Sequence, residues 1–121
     1  MSENSKTEQL VKQLLVESKS GNIKWDVYET PRALNQETEQ KVHLFLKTEY
    51  KGKSIGVYDL RTKDFYDEHE FYWSESIGLC IVNENDLVIW EANEYFPELL
   101  DLFNVAREKS AGLEDILDDL I

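Results

Sequence analysis

The sequence predicts an α+β fold with a single, mainly antiparallel sheet of about five strands. An N-terminal helix and two C-terminal helices are expected to pack on one face of this sheet. The first observation is the segment 71–90, FYWSESIGLCIVNENDLVIW, where apolar and polar residues alternate on both sides of the polar turn 83–86. The second is that leucine-rich segments with helical spacing precede and follow the predicted strands. At 121 residues, the chain is expected to form a single domain covering 1–121.

The N-terminal helix is predicted over 5–20, where apolar residues recur at helical spacing. Gly21 is well placed to end it, because glycine adopts the left-handed conformation found just past a helix C-terminus. Alternation of apolar and polar residues predicts a strand over 23–29, which Pro31 ends because proline cannot donate a ladder hydrogen bond. The polar segment 32–40 is expected to be the most weakly ordered internal part of the chain.

Two further strands are predicted over 41–50 and 54–60, joined by a tight turn at 51–53. The charged segment 61–70, RTKDFYDEHE, has two interpretations. It is either a loop or the ends of two long strands that continue into the core. The first is favoured, in the form of a long connection with strand character at its ends.

The hairpin over 71–90 is expected to form the centre of the sheet. Its residues and those of the other strands define two faces. The face toward the helices would carry Trp25, Leu44, Leu46, Ile77, Leu79, Ile81 and Ile89, with Val42 on the same side and Leu87 in line with Ile89. The opposite face bears Phe45, Tyr58 and Tyr72. These rings would either cover edge strands or, if exposed, form an interaction surface that could close a symmetric dimer.

The C-terminal part predicts two helices. Pro97 at a first helical position, followed by Glu98, is typical of a helix start. Leucines and Phe103 form the apolar stripe of this helix, and the segment 110–112 is expected to break it. A short terminal helix is then predicted over 113–120, with four acidic residues opposite its apolar stripe.

The net charge of −12 comes entirely from the second half of the chain. Residues 1–60 hold nine acidic and nine basic side chains, whereas residues 61–121 hold sixteen acidic and four basic ones. Such a field repels nucleic acid phosphates and attracts basic partners. The alternative is that the acidic surface serves only solubility. No nucleic acid partner is therefore expected, and a basic protein partner is the preferred hypothesis.

Other features of the sequence indicate in which cellular compartment the protein is expected. Cys80 is the one cysteine, so it cannot form an intramolecular disulfide or a cysteine-based zinc site, and it is expected to be a small buried apolar residue. The polar N-terminus has no apolar signal-peptide region, and no apolar run approaches the length of a membrane span. A cytoplasmic protein with no membrane partner is expected.

No residue pattern indicates catalysis. Neither His43 nor His69 lies in a catalytic motif, and the five glycines are scattered rather than gathered in a phosphate-binding loop. The acidic cluster around His69 lacks the spacing of a calcium loop and is expected to be solvated. No catalytic, cofactor-binding or metal-binding residue is therefore predicted, and no cofactor.

One cluster is a candidate for partner binding. Three consecutive aromatic residues, Phe71, Tyr72 and Trp73, follow the acidic residues Asp67, Glu68 and Glu70. Such a surface can dock arginine or lysine side chains through both charge and ring faces. The alternative is that Trp73 belongs to the core.

The opening of the chain resembles that of many small, uncharacterised, acidic bacterial proteins from Gram-positive genomes or mobile elements. The shared pattern is LL..[ST]..G.I.W, here carried by Leu14, Leu15, Ser18, Gly21, Ile23 and Trp25. The acidic tail 116–120, ILDDL, is similar too. These proteins have no assigned activity, so the resemblance implies a layout of helices and strands but no site residues.

Together these observations favour a non-enzymatic interaction domain, such as a regulator, an inhibitor or an immunity-type protein. It would bind a basic partner through its acidic second half. Two alternatives stay open: a small-molecule binding or enzymatic domain with a pocket between sheet and helices, and a DNA mimic whose carboxylates imitate phosphates.

Overall fold

A computed structural model describes residues 5–35, 40–85, 87–92, 97–110 and 113–121. The helices are α1 (Ser5–Lys19), α2 (Pro97–Glu108) and α3 (Leu113–Leu120), and a single 3-10 turn covers Arg32–Asn35. The strands are β1 (Asp26–Val27), β2 (Gln40–Tyr50), β3 (Lys53–Phe65), β4 (Phe71–Val82) and β5 (Val88–Ala92). They form one antiparallel sheet in the order β1-β2-β3-β4-β5. The predicted α+β fold class is confirmed.

The passage from α1 into β1 is fixed by the residues of the LL..[ST]..G.I.W pattern. Gly21 has a φ of 78°, the left-handed conformation that ends the helix. Trp25 is fully buried, and its Nε1 donates a 2.8 Å hydrogen bond to Ser18 Oγ. The Ser18 hydroxyl in turn donates to the Leu14 carbonyl at 2.6 Å. Because a buried indole N–H needs an acceptor, this pattern has a structural role in the fold.

The expectation that the hairpin 71–90 forms the centre of the sheet is wrong. Its two strands do pair, but β5 is an edge strand and meets β4 only from Leu79 to Val82. The central strand is β3, which pairs along most of its length with β2 on one side and β4 on the other. The error arose because a strong local hairpin signal shows which strands are neighbours but not where they lie in the sheet.

One face of the sheet packs against α1 and α2 around a fully buried cluster. Its members are Val11, Leu14, Trp25, Leu46, Ile55, Val57, Leu79, Leu99, Leu102, Phe103 and Ala106, with Leu44, Ile77 and Ile81 partly buried against them. The predicted helix-facing positions of Leu44, Leu46, Ile77, Leu79 and Ile81 are thus confirmed. Fully burying such side chains stabilises the fold by about 1.5–3 kcal/mol each, which makes this layer the main source of stability.

Two irregularities in the ladder overturn three predicted side-chain orientations. The register shifts between Val42 and Leu44, so Val42 packs on the opposite face rather than beside Leu44. A second shift between Ile81 and Val82 changes the face of the sheet toward which the side chains of β5 point. Leu87 and Ile89 are each 60% exposed rather than packed under the helices. A bulge adds one residue to a strand and reverses the alternation beyond it, which sequence periodicity alone does not reveal.

Over the body of the sheet, the opposite face has its own core, although Tyr72 further along this face is exposed as expected. Phe45 and Tyr58 are 2% and 1% exposed, and they lie with Leu60, Cys80 and Val82. Their rings occupy the space above glycines of neighbouring strands, since a Cβ on Gly56 would overlap the Phe45 ring and one on Gly78 would overlap the Tyr58 ring. Phe45 and Tyr58 therefore cannot form the interaction or dimer surface expected for this face.

The charged segment 61–70 is half strand and half turn. Strand β3 runs on to Phe65, the chain turns through 66–70, and β4 begins at Phe71. The second of the two sequence interpretations is correct for 61–65, which continue β3, whereas 66–70 form a turn and β4 starts only at Phe71. The predicted strand 54–60 is accordingly five residues too short at its end.

Some predictions concern residues beyond the described ones. In the segment 32–40, residues 32–35 form the 3-10 turn and β2 begins at Gln40, while 36–39 lie outside the described residues. Asp86 in the hairpin turn and residues 111–112 of the expected helix break also lie outside them. In α3 the side chains of 113–116 are not described, whereas Leu117 and Leu120 are exposed.

Candidate interaction surface

The hairpin β3–β4 extends beyond the rest of the sheet as a two-stranded ribbon. We call residues 61–75 the ribbon. Pairing of β2 with β3 ends at Gln40 and Thr62, and β5 reaches β4 only at Leu79, whereas β3 and β4 pair without interruption out to Phe65 and Phe71. Among the described residues, the outer part of the ribbon therefore has no flanking strand. Both of its faces are accessible.

One face of the ribbon carries three exposed rings around a lysine, and we call Phe65, Phe71, Trp73 and Lys63 the ring face. The three rings are 52%, 41% and 47% exposed. Phe71 lies 5.6 Å from Phe65 and 6.1 Å from Trp73, measured between ring centroids. Lys63 Nζ lies 4.3 Å from the centre of the Phe71 ring and 5.7 Å from that of Trp73. The rings form one continuous apolar patch on the face of the sheet that carries the helices further along.

The other face of the ribbon carries two tyrosines. The ring centroids of Tyr66 and Tyr72 lie 6.0 Å apart, and both side chains are more than half exposed. The Tyr66 hydroxyl donates a 2.9 Å hydrogen bond to Glu70 Oε2, which raises the pKa of Tyr66. Behind them the Ser74 hydroxyl donates a short hydrogen bond to Asp64 Oδ2. These contacts link side chains on this face of the ribbon, while the two tyrosine rings stay more than half exposed to solvent.

The turn at the end of the ribbon is acidic, and we call Asp67, Glu68 and Glu70 the acidic tip. Asp67 Oδ1 accepts hydrogen bonds from the backbone N–H of His69 at 2.7 Å and of Glu70 at 2.8 Å, so this carboxylate shapes the turn. Glu68 is almost fully exposed and lies 3.9 Å from His69. Among the described residues, no lysine or arginine pairs with the tip, and no group of three His, Cys, Asp or Glu side chains converges as metal ligands would.

The base of the ribbon is cationic. Arg61 Nε lies 3.2 Å from Glu75 Oε2 across the two strands, and Lys41 is paired with Arg61 in the ladder. We call Lys41 and Arg61 the cationic base. They line an open depression of about 560 Å³ whose other walls are Val42, His43, Trp73 and Glu75. The β2 bulge at His43 helps to form it, because the inserted residue bends the strand.

The structure brings all six predicted partner-binding residues onto the ribbon but not onto one face. Phe71 and Trp73 lie on the ring face, Tyr72 lies on the opposite face, and Asp67, Glu68 and Glu70 lie at the tip. Trp73 is 47% exposed and does not belong to the core.

Sequence reasoning missed four ribbon residues, namely Arg61, Lys63, Phe65 and Tyr66. The signal was present, because RTKDF alternates in the way that a strand does, but its high charge favoured a loop.

Two buried titratable groups, Cys80 and Tyr58, lie outside the ribbon in the second core. Burial raises the pKa of the Cys80 thiol to about 12, which keeps it protonated and unreactive at neutral pH. Burial also raises the pKa of Tyr58, and the nearby Glu91 carboxylate raises it further by accepting a 3.0 Å hydrogen bond from the tyrosine hydroxyl. Both groups therefore act as parts of the second core.

Comparison of the chain with protein-family profiles, with curated protein sequences and with solved structures found no match in any of the three. The resemblance carried by the LL..[ST]..G.I.W pattern therefore stays a prediction. Within the described part of the chain, none of the helices has both the length and the apolar character that crossing a membrane requires. The function is argued below from the geometry of the ribbon.

Proposed function

We propose that this chain is a non-enzymatic protein-interaction domain of the regulator, inhibitor or immunity type, and that it binds a basic protein partner with the ribbon as its contact element. The single observation that carries the proposal is the combination, on one protruding hairpin, of an exposed ring cluster and an acidic tip that no lysine or arginine pairs with in the part of the chain that the structure describes. The largest exposed apolar patch of a soluble protein is often a functional surface.

The rings supply the apolar part of the contact. Phe65, Phe71 and Trp73 are large and rigid, and tryptophan in particular is enriched among residues that dominate binding energies. Cross-strand pairing holds them in place, since Phe65 lies directly opposite Phe71 and Lys63 opposite Trp73. Little conformational entropy is therefore lost when a partner covers them.

The acidic tip supplies the preference for a basic partner. Glu68 projects into solvent, and Asp67 keeps part of its charge available beyond its two backbone hydrogen bonds. The excess of acidic residues in 61–121 extends this field and would steer a basic protein toward the ribbon. Arginine is the partner side chain that suits both parts, because it pairs with carboxylates and stacks on aromatic rings.

The proposal is tested by fluorescence anisotropy with a labelled arginine–glycine repeat peptide of about twelve residues. The acidic tip is altered by Asp67→Asn with Glu68→Lys, which keeps the oxygen that accepts the two turn hydrogen bonds. Because exposed charge pairs contribute about 0.2–1 kcal/mol each, we expect binding to weaken roughly three- to tenfold. Replacing both Phe71 and Trp73 by serine should weaken it by at least a similar factor.

The matched control is Asp118→Asn with Asp119→Lys, which makes the same change of charge on the exposed end of α3. It should leave binding within about twofold of the unmodified chain, because only distant, screened charges change. Equal losses in the tip variant and this control would show that the peptide responds to net charge alone. That outcome would remove the ribbon from the proposal.

A further inference from the structure

The ribbon carries charges of both signs at opposite ends of one apolar face. The acidic tip lies at the turn, the cationic base lies at residues 41 and 61, and the exposed rings lie between them. An elongated surface with opposite charges at its two ends is complementary to a copy of itself turned end for end. We propose that two copies of this chain associate through their ring faces, with the two ribbons stacked antiparallel.

The spacing along β3 fits this arrangement. Arg61 lies three residues before Asp64 on β3, which corresponds to roughly 10 Å at strand spacing, and the turn that carries the acidic tip begins just after Phe65. A twofold axis near Asp64, perpendicular to the strands, therefore brings the turn of one copy toward Arg61 of the other. The same axis places Lys63 of one copy above Phe65 of the other, where a cation and a ring attract each other.

The spacing along β4 fits as well. Asp64 pairs with Tyr72 in the ladder, so the same axis passes near Tyr72 and places Phe71 of one copy against Trp73 of the other. Both rings are exposed on the facing side.

The depression at the cationic base would receive the turn of the second copy. Its volume of about 560 Å³ is of the order that accommodates several side chains, and Lys41, His43 and Arg61 line it. Arg61 already pairs with Glu75, but its exposed guanidinium retains further N–H groups that can donate to Asp67 or Glu68 of the second copy.

The area indicates a weak dimer. At roughly 200 Å² for each phenylalanine and 250 Å² for tryptophan, the observed exposures leave about 300 Å² of ring surface on each copy. Two ring faces together supply about 600 Å² of surface to be buried, which is somewhat more than a third of the roughly 1,600 Å² buried in a standard interface. Since two copies of charge −12 also repel each other, the dimer is expected to form in a concentration-dependent way at an ionic strength of about 0.1 M, where distant charges are screened.

The experiment is sedimentation equilibrium of charge-reversed variants at several protein concentrations. The base-reversed variant combines Lys41→Glu, Arg61→Glu and Glu75→Lys, which keeps a cross-strand ion pair while inverting it. The tip-reversed variant is Asp67→Asn with Glu68→Lys. Each variant alone should associate at least about tenfold more weakly than the unmodified chain, because its tip and base then have the same sign or lose their attraction.

Mixing the two variants gives the decisive result. The acidic tip of the base-reversed variant then meets the unmodified base of the tip-reversed variant, and the two altered surfaces also attract each other. We expect the equimolar mixture to form heterodimers with an affinity within about threefold of that of the unmodified chain. Controls with Lys12→Glu on α1, and with Asp118→Asn plus Asp119→Lys on α3, match the charge changes at exposed positions and should dimerise normally.

Two results would overturn the inference. One is an unmodified chain that stays monomeric up to millimolar concentration, and the other is a mixture that associates no better than its components. The inference does not rest on the proposed function, because a dimer needs no basic partner. Peptide binding is measured at submicromolar concentration, where the weak dimer is dissociated, so the two tests fail separately.

Discussion

At the scale of single residues, the best-defined polar contact is the buried chain from Trp25 through Ser18 to Leu14. The indole N–H donates to the Ser18 hydroxyl, which donates to the Leu14 carbonyl. Ser18→Ala should therefore lower the free energy of unfolding by about 1–3 kcal/mol, because the Trp25 N–H loses its acceptor inside the core. Urea unfolding followed by circular dichroism measures this.

The control for that contact is a double-mutant cycle with Trp25→Phe. In the phenylalanine background no N–H is left without a partner, so Ser18→Ala should cost clearly less than in the unmodified chain. Equal costs in both backgrounds would show that the hydroxyl does not serve the tryptophan.

The glycines beneath the second core give another prediction at this scale. Gly56→Ala and Gly78→Ala should each destabilise the fold by about 1–3 kcal/mol, because the added methyl group would overlap the ring of Phe45 or of Tyr58. Thermal unfolding measures the loss. Phe45→Leu should recover part of the cost of Gly56→Ala but none of the cost of Gly78→Ala, and recovery of both would contradict the assigned contacts.

The buried thiol predicts the behaviour at alkaline pH. The pKa of Cys80 is raised from its ordinary value of 9.0 to about 12, so the folded chain holds a proton that the unfolded chain releases above about pH 9. The free energy of unfolding should then fall as pH rises from about 9 toward 12, by up to about 1.4 kcal/mol per pH unit for this group. Tyr58 adds to the fall above pH 10, since its pKa is raised as well.

Urea unfolding at pH 8, 9 and 10 tests this with Cys80→Ala as the comparison. The alanine variant is less stable throughout because of the cavity it leaves, but its stability should decline less between pH 9 and 10. Parallel curves for the two proteins would show that the thiol does not contribute.

At the scale of elements, the ribbon differs from the body of the sheet in what surrounds it. The segment Ile55–Asp59 lies between two strands and beneath helices, whereas Lys63–Phe65 pairs only with β4 among the described residues. Amide hydrogens of the outer ribbon should therefore exchange much faster than those of Ile55–Asp59, because local opening there breaks fewer contacts. Exchange followed by mass spectrometry or NMR measures this, and uniform protection along β3 would contradict the description.

The elements also show what sequence could predict. Alternation located β2, β4, β5 and the first part of β3, and helical spacing located the helices, because local periodicity reflects which side chains are buried. The strand predicted over 23–29 is only Asp26–Val27. It could not place β3 at the centre or detect the bulges at His43 and in the β4–β5 ladder, since these depend on pairing between distant segments. The same limit hid the ribbon, in which charged residues occupy a strand that no other layer covers.

The candidate site was predictable in part for the same reason. The cluster of rings and carboxylates around Phe71 and Asp67 is contiguous in sequence and could be found there. The participation of Lys63 and Phe65 depends on their cross-strand neighbours, which follow only from the register of β3 and β4. The division of the rings between two faces follows from that register too.

At the scale of the whole molecule, the excess negative charge lies in the second half of the chain, but the ribbon is not uniformly acidic. Two of the four basic residues of that half, Arg61 and Lys63, lie at its base and on its ring face. Under the two proposals, the acidic tip would face a basic partner while the cationic base would receive an acidic surface. This arrangement would let a second copy and a basic partner compete for the same tip.

The most direct test of the central claim is NMR mapping of the arginine–glycine peptide on the ¹⁵N-labelled chain. The largest amide shift changes are predicted within residues 63–75, and Asp67→Asn with Glu68→Lys should reduce them. Changes confined to α1 or to the β1–β2 edge, with the ribbon amides unmoved, would contradict the claim that the ribbon is the contact element.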